Sequence, residues 1–181
     1  MSLNLLLTVV FAAVVFFWAT GAHNRLVRLR NTLAQAGARF SEALALRHAA
    51  LTQLRLALLQ PLAAETGALQ ALAAAQSDEQ AAVSALAARA LDAAAARDWL
   101  SAQAPLDSSA ARVLALLDQH PALRQQDAVA QPLNSWHDTQ SRLTLLRQAY
   151  NDAADAHNRA LAQFPTRLLA RPFRFVAAGR V

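Results

Sequence analysis

The chain opens with an apolar run that is long enough to cross a bilayer. Residues 3–19 contain no ionisable side chain, and a helix over residues 1–22 reaches about 30 Å, the thickness of a hydrocarbon core. Arg25, Arg28 and Arg30 follow at once, so the positive-inside rule places the rest of the chain in the cytoplasm. We therefore predict a retained single-pass anchor. The alternative is a cleaved signal peptide, which is disfavoured because residues 1–2 carry no basic side chain.

Beyond the anchor, the apolar positions repeat with helical spacing. Residues 23–60 predict a helix that leaves the membrane and continues. Pro61 should kink this helix without ending it, and Ser77, with the two acidic residues after it, is the first credible cap. Further helices are predicted over 79–101, 108–121 and 133–163, with a loop over 102–107 and an irregular stretch or short helical turn over 121–132. No stretch alternates as a strand does.

These elements predict an all-α protein in which an N-terminal transmembrane helix precedes an elongated antiparallel bundle with up-down-up-down topology. The predicted divisions are the anchor at 1–22, the bundle at 23–165 and a basic, aromatic tail at 166–181. The formal net charge is +5 and all 17 basic residues are arginine. Because the anchor holds this charge beside a bilayer, we expect contact with anionic membrane lipid and no nucleic-acid partner.

The sequence offers little catalytic chemistry. None of the five histidines has a second histidine three or four residues away, so no zinc motif forms and we expect neither a metal nor a cofactor. Asp152 and Asp155 could share a helix face, but a solvent-exposed face explains the presence of these two carboxylates better than a role as a catalytic acid and base. We expect that the protein is not an enzyme.

A repeated dipeptide is the most specific motif. His23-Asn24 opens the first cytoplasmic helix, and two similar dipeptides, Tyr-Asn and His-Asn, lie one heptad apart on the last helix, before Phe-Pro. The motifs of the last helix are Tyr150-Asn151, His157-Asn158 and Phe164-Pro165, and the link before that helix is His120-Pro121-Ala122-Leu123. Together these motifs resemble the LemA family over about residues 1–175.

The LemA resemblance implies a membrane-anchored antiparallel bundle in a bacterial inner membrane. It implies no established catalytic activity, and it implies association in some cases with other membrane proteins, including zinc metallopeptidases. This sequence departs from the family pattern where His23 and His157 replace aromatic residues, Gly37 replaces tryptophan and Gln140 replaces glutamate. We interpret the chain as a divergent member.

Two polar sites are predicted along the seam between the first and last helices. Asn24 and Asn31 should lie beside Asn158 and Asn151, because both pairs are spaced by seven residues on antiparallel helices. Arg47 interrupts an apolar repeat and should either snorkel to solvent or bond to Gln140, so replacing it with methionine should cost little stability. The complete predicted seam is Asn24, Asn31, Arg47, Gln140, Arg147, Tyr150, Asn151, His157 and Asn158.

The tail mixes arginines with aromatic residues and should return to the membrane surface, with a short turn at 168–171 and an extended stretch after it. Its predicted lipid-contacting residues are Arg167, Arg171, Phe173, Arg174 and Phe175.

The leading functional prediction is a membrane-anchored scaffold or adaptor without catalytic activity, which self-assembles as a homo-oligomer. One alternative is a sensory bundle that holds a small apolar ligand between its helices. Another is an accessory subunit of a membrane protease.

Overall fold

The computed structural model describes residues 3–88, 92–163 and 176–181. All regular elements in these ranges are helical, as the sequence predicts. They are α1 (Leu3–Leu58), a 3-10 turn (Ala63–Glu65), α2 (Thr66–Ala88), α3 (Ala93–Asp118), the short α4 (Pro121–Arg124) and α5 (Asp127–Ala162).

The longest helices, α1 and α5, pack against each other in opposite directions. Leu26 near the middle of α1 shares a buried cluster with Leu161 at the end of α5. Leu58 at the end of α1 shares another with Val129 at the start of α5. The contact therefore extends along more than half of α1, and α5 returns the chain toward the apolar end of that helix.

The other two long helices, α2 and α3, form an antiparallel hairpin against this pair. Leu86 at the end of α2 is clustered with Trp99 near the start of α3, whereas Leu69 near the start of α2 is clustered with Val113. Phe40 of α1 reaches the hairpin through an edge-to-face contact with Trp99, with ring centroids 5.2 Å apart. The four long helices thus form an up-down-up-down bundle.

The first third of α1 presents its apolar side chains to the surroundings. Phe11, Phe16 and Phe17 are 70%, 67% and 73% exposed, and the leucines and valines between residues 5 and 15 are exposed with them. A contiguous apolar surface of this kind marks an interaction site or a membrane-facing segment. By length and composition α1 is a candidate membrane span.

The structure corrects the predicted effect of Pro61. Helix α1 ends at Leu58, and a turn and the 3-10 segment reverse the chain before α2. The apolar spacing that resumes after Pro61 belongs to a returning helix that buries Leu62, Leu69 and Leu72 in the same core as α1. Ser77 is not a cap, since it lies within α2.

Two other prolines are tolerated inside helices where the sequence predicted interruptions. Pro105 lies within α3, so the predicted loop over 102–107 is helical. Trp99 and Leu106 on either side of it are each 1% exposed, and this burial offsets the roughly 3 kcal/mol that an interior proline costs. Pro132 lies inside α5, which begins earlier than predicted.

Candidate functional site

The most elaborate polar site lies where residues 176–181 pack against the bundle. These six residues form no helix or strand and return along α5, beside the start of α3. Ala178 and Val181 are buried, and they join the cluster that contains Trp99 and Tyr150. We call this stretch the docked segment, and we call the surface that α3 and α5 offer to it the docking groove.

Two asparagines of α5 hold the docked segment through its main chain. The side-chain Nδ2 of Asn158 donates to the carbonyl oxygen of Ala178 over 2.9 Å, and the Ala178 N–H donates to Asn158 Oδ1 over 2.8 Å. Asn151 repeats this with Val181, at 2.7 Å from Nδ2 to the carbonyl oxygen and 2.9 Å from the Val181 nitrogen to Oδ1. Each amide therefore satisfies the N–H and the C=O of one residue at once.

The spacing of the asparagines matches the spacing of the residues that they bind. Seven residues along an α-helix span about 10.5 Å, and three residues of a polyproline-II-like chain span about 9 Å. Asn151 and Asn158 can therefore hold Val181 and Ala178 in register. If the two bound residues of the docked segment were only two positions apart, they would lie too close together to reach both asparagines.

His157 and Gly179 complete the site. The His157 ring is buried, with Nε2 3.1 Å from the Val176 carbonyl oxygen; a carbonyl only accepts, so this nitrogen carries the proton. A Cβ at Gly179 would lie 2.7 Å from the Cα of Ala93 and 3.0 Å from the Cβ of Ala96. The close approach to α3 therefore requires glycine.

These contacts correct the predicted asparagine seam. Asn24 and Asn31 are exposed, and the amides of Asn151 and Asn158 bond to the docked segment instead of to them. The partners Ala178 and Val181 were not predicted, because the groups that bind the asparagines belong to the main chain and leave no signal in the sequence. The predicted lipid-contacting residues of the tail, which are Arg167, Arg171, Phe173, Arg174 and Phe175, lie outside the described residues.

Arg47 is buried at the centre of the bundle, and its partner differs from the predicted Gln140. Its guanidinium forms an ion pair with Glu79 of α2, and both side chains are 1% exposed. Asp107 of α3 contributes a more distant carboxylate, 3.9 Å from Arg47 Nη1. Three helices are therefore joined through one guanidinium, and Arg47 does not snorkel to solvent.

Gln140 and Arg147 line a half-open cavity of ≈ 190 Å³ next to this ion pair. Phe40, Leu44 and Trp99 form apolar parts of its wall, and the Arg47 side chain closes it on the inside. The cavity brings Arg47, Gln140 and Arg147 together, as the predicted seam did, although the Arg47 ion pair is formed with α2.

Tyr150 lies between these two sites, stacked on Phe40 with ring centroids 6.2 Å apart. Burial raises the pKa of its phenol above the ordinary value of 10.0. Above pH 10 the unfolded chain therefore loses this proton before the folded chain does, so the free energy of unfolding should fall as pH rises.

This pH dependence can be measured directly because the sequence contains one tyrosine and no lysine. Ultraviolet titration of the folded chain should place phenolate formation above pH 10, and denaturant unfolding should show stability declining there. Tyr150→Phe should abolish that decline. Phenolate formation at the ordinary pKa in the folded chain would contradict the expectation.

Comparison with protein-family models matches residues 41–179 to the LemA family. The matched region begins within α1, after the predicted anchor and His23-Asn24, and it ends inside the docked segment. A search of the curated proteins finds no match.

Proposed function

We propose that this chain, which belongs to the LemA family, is a membrane-tethered scaffold or adaptor without catalytic activity that self-assembles through its helical bundle. The observation that carries the proposal is the continuity of α1. One helix of 56 residues contains both the exposed apolar run and the first helix of the bundle. Such a helix fixes the distance and direction of the bundle relative to whatever surface covers the apolar run.

The surface proposed for that run is a bacterial inner membrane, with the bundle on its cytoplasmic side. Arg25, Arg28 and Arg30 follow the run directly and would lie at the anionic leaflet. Burial of side chains such as Phe17, which is 73% exposed in the chain alone, supplies the driving force.

The buried polar groups favour a structural role over catalysis. Arg47 is paired with Glu79, and the buried His157 is directed at a main-chain carbonyl. Gln76 of α2 bonds to the His48 carbonyl oxygen and to Thr52 Oγ1 of α1, each over 3.2 Å. Arg47 and Gln76 join helices to one another, and His157 joins α5 to the docked segment.

Self-assembly is supported by leucines that the bundle leaves exposed on the α1–α5 pair. Leu46 of α1 is 47% exposed and Leu145 of α5 is 69% exposed. Side-by-side packing of copies would bury both, and membrane tethering would hold copies in a common orientation.

Mass photometry of the full chain in detergent or nanodiscs tests this proposal. We expect particles larger than one copy, and Leu46→Glu and Leu145→Glu together should shift the distribution toward smaller particles. Leu100→Glu is the matched control, because Leu100 is 41% exposed but lies on α3. A monomer at every concentration would refute self-assembly.

The cavity beside Arg47 favours a second candidate, a ligand-binding or sensory bundle. Its volume of ≈ 190 Å³ corresponds to about six water molecules at ~30 Å³ each. Arg147, Gln103 and Gln140 give it polar walls, so a small polar anion fits its chemistry better than the apolar molecule that the sequence predicted. A monomeric chain whose melting temperature rises with such an anion would support this candidate over the scaffold.

A further inference from the structure

The docking groove recognises the main chain of its ligand. All four hydrogen bonds from Asn151 and Asn158 go to main-chain N–H and C=O groups, which every residue except proline possesses. His157 also contacts a main-chain carbonyl. The class of ligand is therefore an extended peptide, recognised through the same groups that a β-sheet edge would use.

The side chains of the docked segment restrict the peptide ligand further, to a short pattern of residue types. Ala178 and Val181 are buried against the groove, and the position of Gly179 leaves no space for a Cβ. Arg180 is exposed, with Nη1 3.5 Å from Asp155 Oδ2 of α5. The groove thus accepts a small residue, glycine, a basic residue and an apolar residue in succession.

Every copy of this chain carries one groove and one segment that fits it. Thirteen residues, 163–175, lie between the end of α5 and the docked segment. The path from Gln163 to Val176 can extend to about 43 Å, whereas reaching the groove beside His157 requires going back only about 9 Å along α5. The number of residues between α5 and the docked segment therefore exceeds what docking within one copy requires.

We propose that residues 176–181 of one copy bind the docking groove of a second copy, so that neighbouring bundles are joined by exchanged segments. This inference rests on the proposed self-assembly and adds a second contact between copies to the exposed leucines of α1 and α5. Exchange replaces each hydrogen bond in the groove by an identical one, so no contact is lost. The equilibrium between docking within one copy and exchange between copies depends on the local concentration of copies, which tethering to one membrane raises.

The absence of cysteine from the sequence allows a direct test. Full-length Asp155→Cys copies and Arg180→Cys copies, carrying different tags, are reconstituted into one bilayer and treated with a short bismaleimide. Cross-linking of residue 155 to residue 180 can then occur only between copies. We expect a hetero-tagged dimer whose yield rises with the protein-to-lipid ratio.

Two variants test whether the groove forms this dimer. Asn151→Ala with Asn158→Ala, placed in the Asp155→Cys copy, should lower the dimer yield by about tenfold or more, because four hydrogen bonds are lost. Gly179→Ala in the Arg180→Cys copy should do the same without altering the bundle of the receiving copy. Undiminished yield in both variants would overturn the assignment of the groove.

A chain carrying both Asp155→Cys and Arg180→Cys reports docking within one copy. Cross-linked monomers from this chain, without hetero-tagged dimers from the mixed copies, would overturn the exchange. If mass photometry still detects assemblies, self-assembly stands and uses another surface. If it detects none, self-assembly and exchange fail together.

Discussion

Replacing Arg47 with methionine should lower the free energy of unfolding by about 3–5 kcal/mol. The substitution leaves Glu79, which is 1% exposed, without its guanidinium partner in the middle of the bundle. A buried carboxylate that loses its ion-pair partner retains the full cost of its desolvation. This reverses the expectation from the sequence, in which the partner was the neutral Gln140. Denaturant unfolding of the full chain in detergent, followed by circular dichroism, measures the loss.

Combining Arg47→Met with Glu79→Met should recover most of that loss, to within about 1 kcal/mol of the wild type or better, because well-packed apolar residues often replace a buried ion pair without cost. Arg112→Met is the matched control: Arg112 is exposed on α3, and its loss should change stability by less than about 0.5 kcal/mol. If the single and double variants were equally unstable, the cost would come from packing at residue 47 and not from the orphaned carboxylate.

The helical class follows from the sequence because apolar spacing reports which residues face a core. The same spacing does not indicate whether the chain continues in one direction or turns back. A stripe that resumes at Leu62 and Leu69 looks identical whether the helix continues or folds back, and here it folds back at Pro61. At Pro105 the sequence predicted an interruption, but the helix continues. The burial of Trp99 and Leu106 stabilises α3 on both sides of this proline.

The predicted polar sites were partly right in their residues and wrong in their partners. Arg47 was identified because it interrupts an apolar repeat, but Glu79 was taken for a helix cap, and its inward position depends on the reversal before α2. Asn151 and Asn158 were identified by their heptad spacing. Their partners are main-chain groups, which every residue carries and no sequence pattern distinguishes.

Gly179→Ala should detach the docked segment from the groove. The added Cβ would lie 2.7 Å from the Cα of Ala93, and a main-chain atom of α3 cannot move aside as a side-chain tip can. Because displacement breaks the hydrogen bonds to Asn158 and Asn151 together, we expect the amide protons of Ala178 and Val181 to lose their protection. Asn158→Ala removes two of these bonds and should reduce protection by about 30-fold, which corresponds to ~2 kcal/mol. Hydrogen exchange measured by mass spectrometry on the terminal peptide reports both effects.

Gly67→Ala is the matched control for the glycine substitution. Its added Cβ meets no atom within 4 Å, and Gly67 lies in the first turn of α2, so alanine should stabilise that helix by up to about 1 kcal/mol and leave the docked segment protected. Unchanged exchange at Ala178 and Val181 in Gly179→Ala would mean that α3 yields to the new methyl group. The groove would then tolerate larger residues at this position, and its ligand pattern would extend beyond glycine.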